Sequence, residues 1–343
     1  MTDERLCCSV VICTHNPNLQ RLGLVLQGLQ RQTLDVGSWE LIVVDNRSLV
    51  SLCDSLDLGW HPRGRVVREE QLGLVSARVK GIRESLGELL VFVDDDNVLD
   101  EQYLEVALRL QRQYPFLAAF GGSCVGVYEG PVPRRVQPHV GLLAVREIRR
   151  ASWSNVPEAH ECLPRGAGLC VLRGTALNYA DQVEGDSVRL RLDRVGDSLA
   201  SSGDVDLALS GLDLGYGFGT FPDLTLSHLI PSSRLREDYL LRLAEELGCS
   251  TVLRQRTLGH STGLRADFFW RLKLLLRKAI CFLPRNFVTL GFRISTAYSS
   301  GQLRANGLLD RGQALRPKGI RSVPAHRSWQ GYLVKPRTFM HEI

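Results

Sequence analysis

Three short apolar runs, each cut off by a polar cluster, constrain this chain more than any other feature. Residues 7–14 read CCSVVICT and stop at HNPN. Residues 39–45 read WELIVVD and stop at NRS, and residues 88–93 read ELLVFV and stop at DDDN. Helical patterns separate the runs: Leu22, Leu26 and Leu29 recur at helical spacing within 19–32, and 74–86 also reads as a helix. Continuously apolar strands alternating with helices form a parallel sheet covered on both faces. Such sheets bind ligands beyond the carboxyl ends of their strands. Thr14-His15-Asn16, Asp45-Asn46 and Asp94-Asp95-Asp96 are therefore expected to meet in space, although they lie up to eighty residues apart.

The pattern continues with a weak strand at 65–68, a helix at 100–114 and strands at 118–128 and 166–172. A helix follows from Thr175, another spans 204–214, short extended pieces fall at 219–221 and 225–228, and a helix covers 234–247. Residues 129–165 are irregular and rich in Pro, Arg and His, the mark of a binding loop or lid. Residues 181–202 are polar and charged and read as a surface excursion. With 44% apolar and 23% charged residues the 343-residue chain can bury a sizeable core, so general disorder is excluded. The nine cysteines contain no CxxC pair, which argues for reduced apolar thiols and against a zinc ribbon or disulfide scaffold. MTDERLCC lacks the basic start of a secretory signal, and no apolar run is long enough to span a bilayer.

The carboxylates at 94–96 carry the chemistry. Three like charges at the end of a buried strand repel one another unless a cation is present. Alternation along an extended segment puts Asp94 and Asp96 on one side and Asp95 on the other. A pair on one face can hold a hard divalent ion and, through it, a diphosphate. Asp45 reads either as a turn cap or as an acceptor for a nucleobase or ribose. Arg78, in LGLVSARVKGI, reads either as a surface ion pair with Glu69 or Glu70 or as a bidentate donor to a base or diphosphate. GxGxxG after the first strand and GxxxxGK[ST] are both absent, which removes the classical dinucleotide and P-loop readings.

Taken together, SVVICTHNPN, ELIVVDNRS, EQLGLVSARVKGIRESLGELLVFVDDDNVLD, RGAGLCVLRG, SSGDVDLALSGLDLGYG and LSHLIPSSRL resemble glycosyltransferase family 2 over residues 8–250. The resemblance implies a GT-A-type fold: a mixed, mainly parallel α/β sheet flanked by helices. It implies an inverting transfer of a sugar from a UDP-, dTDP- or GDP-linked donor to an acceptor hydroxyl, with Mn or Mg as cofactor. Residue by residue, it places Thr14, Asn16, Asp45, Arg78, Asp94 and Asp95 on the nucleotide sugar. Asp96 becomes the metal ligand, with His228 a further candidate, and Gly166, Ala167 and Gly168 line the sugar and acceptor pocket. Arg234, just after His228, could also meet phosphate. Asp204 matches the general base. The family's usual Glu-Asp before that helix is here Gly203-Asp204, which puts the acceptor contact in doubt and leaves Asp206 as the fallback base. Two rivals remain: a silent nucleotide-sugar-binding or scaffold protein, suggested by Gly203, and a sugar-phosphate nucleotidyltransferase. The latter wants a Gly-rich basic loop after the first strand, which HNPNLQRLG does not supply.

The expected organisation is a GT-A domain at 1–255, with a nucleotide-sugar half (1–128) and an acceptor half (129–255). A basic amphipathic helical extension follows at 256–311, then a flexible tail at 312–343. Charge divides the same way: residues 268–343 hold 14 Lys and Arg against Asp310 and Glu342, whereas the preceding residues are net acidic. This excludes a uniformly basic nucleic-acid binder and points the tail at an anionic surface. Within 268–283 the helical projection gathers Leu272, Leu275, Leu276, Ala279, Ile280 and Leu283 on one face with Phe268, Phe269 and Phe282, flanked by Arg271, Lys273, Arg277 and Lys278. Trp270, Leu274 and Cys281 fall opposite. Such a helix either lies on an anionic membrane or packs against the domain. The resulting expectation is a cytoplasmic protein, peripheral on the inner face of the cell membrane, acting on a saccharide or lipid-linked saccharide in polysaccharide or glycolipid synthesis.

Overall fold

The structure, a computed structural model, describes residues 6–53, 55–257, 268–284 and 287–308. The expected tail at 312–343 lies outside the described residues. In chain order the elements are β1 (Cys8–Thr14), α1 (Leu19–Gln30), β2 (Trp39–Asn46), β3 (Gly64–Glu69), α2 (Leu74–Glu84), β4 (Leu89–Asp94), β5 (Asn97–Leu99) and α3 (Tyr103–Gln113). There follow β6 (Leu117–Tyr128), β7 (Ser152–Ser154), β8 (Leu169–Leu172), α4 (Arg173–Val183), α5 (Gly203–Leu209), β9 (Gly217–Ile230), α6 (Glu237–Thr257), α7 (Phe268–Cys281) and α8 (Leu290–Leu308).

One nine-stranded sheet runs β3-β2-β1-β4-β8-β6-β9-β5, with β7 also paired to β9. β3, β2, β1 and β4 are parallel neighbours, and β6 and β9 run parallel to each other. β8, β5 and β7 are reversed, so the sheet is mixed and most of its strands point one way. Alternate residues of the apolar runs serve two cores. Val10, Ile12, Leu41, Val43, Leu89 and Val91 pack under α1 and α3. Val11, Ile42, Val44, Leu90 and Phe92 pack under α2, α4 and α5. That double burial is why the runs are apolar without a break; truncating one of them, Ile12→Ala for example, costs about 2–5 kcal/mol. α1 starts at Asn18, whose side-chain oxygen accepts from the Arg21 N–H at 3.1 Å.

Two stretches differ from the sequence reading. Residues 217–230 form one continuous strand in place of two short pieces, because β6 pairs with both ends of it across a register shift, β7 adds to the first end and β5 to the second. Residues 181–202 are not a surface excursion throughout. The Leu192 carbonyl accepts from the Ser202 N–H at 2.9 Å, and the Arg194 carbonyl accepts from the Leu74 N–H at 2.9 Å, which straps this segment across the starts of α5 and α2. Leu192 and Asp193 are buried there.

At the C-terminal end, α6 and α8 pack in close contact. A Cβ on Gly301 would lie 1.8 Å from the Glu245 carbonyl, and one on Gly248 would lie 2.1 Å from the Tyr298 carbonyl. α7 rests on α8 through buried Leu274 and through Arg277, which stacks 4.8 Å above the Phe292 ring and donates to Ser295 Oγ at 2.7 Å. Leu272, Leu275, Leu276 and Ile280 point away and are exposed, Leu275 and Leu276 by 63% and 60%. No described helix is long and apolar enough to cross a membrane. All nine cysteines are free thiols.

Candidate active site

A cleft of about 950 Å³ opens at the carboxyl ends of β1, β2 and β4. Among the described residues it is lined by seven arginines, five aspartates and no lysine. Thr14 ends β1 and donates its hydroxyl to Asp95 Oδ2. Asn16 sits in the left-handed region (φ 49°). Its N–H donates to Ser48 Oγ at 2.9 Å and its Oδ1 accepts from the Leu49 N–H at 2.8 Å, so the turn after β1 is tied to the turn after β2. β4 stops at Asp94 and β5 starts at Asn97, so Asp95 and Asp96 lie in a tight turn. Strand alternation no longer applies to that turn, and all three aspartates line the cleft.

The three carboxylates differ electrostatically. Burial, followed by the charge of Asp96, pushes Asp94 up to about 6. Burial also raises Asp95. Burial opposes the charge of Asp96 too, but the His228 and Arg234 side chains outweigh it and hold that carboxyl at about 2. Arg234 Nη1 donates to Asp96 Oδ2 at 2.8 Å, and His228 Nε2 lies 3.5 Å from the same oxygen. His228 arrives on β9 because β9 pairs with β5 in the register Asn97 opposite His228.

Among the described residues no group of three or more His, Cys, Asp or Glu side chains forms a ready metal cage. Asp96 and His228 nevertheless suit a divalent ion. Asp96 Oδ2 and His228 Nε2 offer a carboxylate and an imidazole donor 3.5 Å apart, and Arg234 Nη1, 2.8 Å from the first and 3.4 Å from the second, would have to give way to the ion. One or two carboxylates completed by water and substrate phosphate is the usual set for magnesium, and an imidazole beside the carboxylate favours a softer first-row ion such as manganese.

Arg78 is buried in the opposite wall and donates through Nη1 to Asp193 Oδ2 at 2.6 Å, not to Glu69 or Glu70. Burial opposes its charge, and Asp193, Asp204 and Asp94 together more than restore it. Asp204 begins the first turn of α5. Its Oδ2 accepts from the Gly166 N–H at 2.7 Å and its Oδ1 from the Val205 N–H at 2.8 Å. A side chain at Gly203 would place its Cβ 2.9 Å from Asp193 Oδ2, so the carboxylate paired with Arg78 occupies the space that a Glu there would need.

Three expected residues turn out differently. Asp45 is buried outside the cleft: it accepts from the Ser48 N–H (2.9 Å), the Leu52 N–H (3.1 Å) and Arg68 Nη1 (2.8 Å), so it caps the turn, and its neighbour Asn46 lines the cleft. Gly168 also lies outside the lining. Its φ is +69°, and its carbonyl accepts from Tyr103 Oη at 2.6 Å, which makes it a structural joint. Asp206 is held by Arg189 in a two-point ion pair at 2.8 and 3.1 Å and faces away from the cleft, which removes the fallback base. Gly166 and Ala167 line the cleft as expected. Sequence reasoning missed Asp193, which sits in the charged run VRLRLDRV, and missed the contribution of α6 and α8 to the cleft.

A strand-end cleft rich in arginine, beside clustered carboxylates, suits phosphorylated ligands in an α/β protein. Residues 9–162 match the family model described as "Glycosyl transferase family 2". The chain is 33% identical over 103 residues to "Putative glycosyltransferase EpsH" of Bacillus subtilis (strain 168), a match spanning 29% of each protein. Among solved structures it is similar to S. aureus TarS 1-349, at 14% identity and a TM-score of 0.48, covering 91% of this chain and 93% of that one. The complex of that protein with UDP-GlcNAc gives the same values. Arg78 and Asp94–Asp96 fall inside the family match, whereas Asp193, Asp204, His228 and Arg234 lie beyond it.

Proposed function

We propose that this protein is an inverting, metal-dependent glycosyltransferase that moves a sugar from a nucleotide diphosphate sugar to an acceptor hydroxyl. The observation that carries this reading is the single cleft that joins the carboxylate turn at 94–96, a set of arginines and Asp204. The guanidinium groups of Arg194 and Arg234 suit the donor diphosphate. Asp96 and His228 would hold the divalent ion, which when bound offsets charge on the departing diphosphate. Asp204 is the general base. Each of its oxygens accepts one backbone N–H, which fixes the carboxylate and leaves further lone pairs for an acceptor hydroxyl. The hydroxyl loses its proton to Asp204 as its oxygen attacks the anomeric carbon, on the side opposite the leaving diphosphate. The test is thermal stabilisation by UDP-, dTDP- and GDP-sugars with and without manganese, followed by release of nucleoside diphosphate. Binding without release would favour a silent binder.

The exposed face of α7 supports a membrane site of action. Leu272, Leu275, Leu276 and Ile280 project from the side opposite buried Leu274, flanked by Lys273 and Lys278, and no acidic residue occurs from 268 to 309. An apolar stripe edged with lysine suits an anionic bilayer and supports the reading of a peripheral enzyme on the inner face of the cell membrane with a lipid-linked acceptor.

A further inference from the structure

The far wall of the cleft is built by α6 and α8, outside the stretch that matches the family. On α6, Tyr239, Leu243, Leu247, Thr251 and Gln255 recur at every fourth position and all face the cleft; on α8, Tyr298 and Gln302 do the same. The glycine contacts at 248 and 301 bring the two backbones together, so these side chains form one continuous surface. That surface is fixed to the catalytic region at both ends. At one end Tyr239, Leu240 and Leu243 pack in one apolar cluster with Leu235, next to Arg234, the partner of Asp96. At the other, Ser202 Oγ, at the start of α5, donates to Ser250 Oγ at 3.1 Å, and buried Arg254 feels the charges of Asp206 and Asp204 as well as Tyr298.

We infer that the part of the cleft lined by the α6 and α8 wall is the acceptor subsite and that the acceptor it takes is a saccharide. The inference rests on the transferase reading. Near Asp204 the wall offers Thr251, Gln255, Tyr298 and Gln302. Hydroxyls and carboxamides both donate and accept, which matches the hydroxyls of a sugar. The Tyr298 ring adds a flat amphipathic surface for the apolar face of a pyranose. Leu243 and Leu247 form an apolar floor between the two polar ends. A second nucleotide does not suit this wall: among the described residues of α6 and α8, buried Arg254 is the one cation that lines the cleft, and the other lining side chains there are uncharged. The volume is sufficient, since about 950 Å³ stands at the top of the range for single-ligand pockets and leaves room beside a donor.

The test uses the full chain. Labelled protein saturated with manganese and UDP, dTDP or GDP, whichever stabilises it, is applied to an array of immobilised saccharides. Affinity for the best-retained saccharide is then measured by titration. Retention is expected, with affinity falling about tenfold or more in Gln302→Ala and in Tyr298→Ala, and less in Tyr298→Phe, which keeps the ring. Stabilisation by the nucleotide reports that each variant is folded. If a nucleotide stabilises the protein but no saccharide is retained, or both alanine variants bind saccharide as the parent does, the acceptor assignment is overturned and the transferase reading stands. If no nucleotide stabilises the parent, the transferase reading falls and the acceptor assignment falls with it.

Discussion

Replacing Asp193 with alanine should destabilise this protein more than any other single change in the cleft. Asp193 and Arg78 are both almost wholly buried, with side chains 3% and 5% exposed, and they meet at 2.6 Å. Removing one partner of such a pair leaves an uncompensated charge in the interior, a loss of about 3–5 kcal/mol. Asp204 and Asp94 remain within electrostatic reach of Arg78, so the expected loss lies near the lower figure, about 3 kcal/mol. At roughly 2–4 °C per kcal/mol for a domain of this order, the midpoint should fall by about 6–12 °C. Guanidinium chloride unfolding, followed by fluorescence and circular dichroism together, measures the loss and checks that one transition is being read. The double variant Arg78→Met with Asp193→Leu removes both charges and should recover most of the stability, because a buried pair exchanged for apolar groups is often close to neutral. A loss below about 1 kcal/mol in Asp193→Ala, or a double variant weaker than either single one, would refute the reasoning.

Asp204→Asn should leave donor binding intact and slow transfer about 10²–10⁴-fold, whereas Asp206→Asn should mainly lower the melting temperature by weakening its pair with Arg189; normal transfer by Asp204→Asn would mean that the base lies elsewhere. Asp96→Ala should abolish the manganese-dependent part of donor stabilisation, and equal donor affinity in variant and parent would remove Asp96 from the metal site. Burial raises the Asp45 carboxyl, but bonds from Ser48, Leu52 and Arg68 win and hold it below its usual value, so its contribution is complete above about pH 4 and is lost as pH falls through the folded-state value. Asp45→Asn should therefore be less stable than the parent at pH 7, with the gap closing in acid; a constant gap would exclude that linkage. Leu275→Glu with Leu276→Glu should release the protein from vesicles of anionic phospholipid with little change in melting temperature, because both side chains are exposed in the free protein. Unchanged co-sedimentation would remove α7 as the membrane contact. Deleting everything after 264 is a poorer test, since it strips α8 from α6 and exposes Val252 and Cys249.

The parallel half of the sheet was legible in the sequence because its causes are local. Val10 to Ile12, Leu41 to Val44 and Leu90 to Val93 are each buried from both faces, and a strand in that position must be apolar at every residue. The gathering of Thr14, Asn16 and Asp94–Asp96 followed from the same topology, since parallel strands end on one side. Asp204 was legible only through the family pattern in the SGDVDL run. Roles decided by long-range partners were not. Nothing near Asp45 in sequence shows that Arg68 and the turn at 48–52 consume its hydrogen-bonding capacity, and nothing near Asp193 shows that it meets Arg78 from 115 residues away. Periodicity likewise reported that α7 has an apolar face without saying which way it turns: Leu274, on the opposite side, became the anchor to α8, and the broad apolar face was left outward. Hydrophobic pattern and turn chemistry act within a few residues and so appear in the sequence. Ion pairing, helix-on-helix packing and the choice of which face to bury depend on groups that only the folded chain brings together.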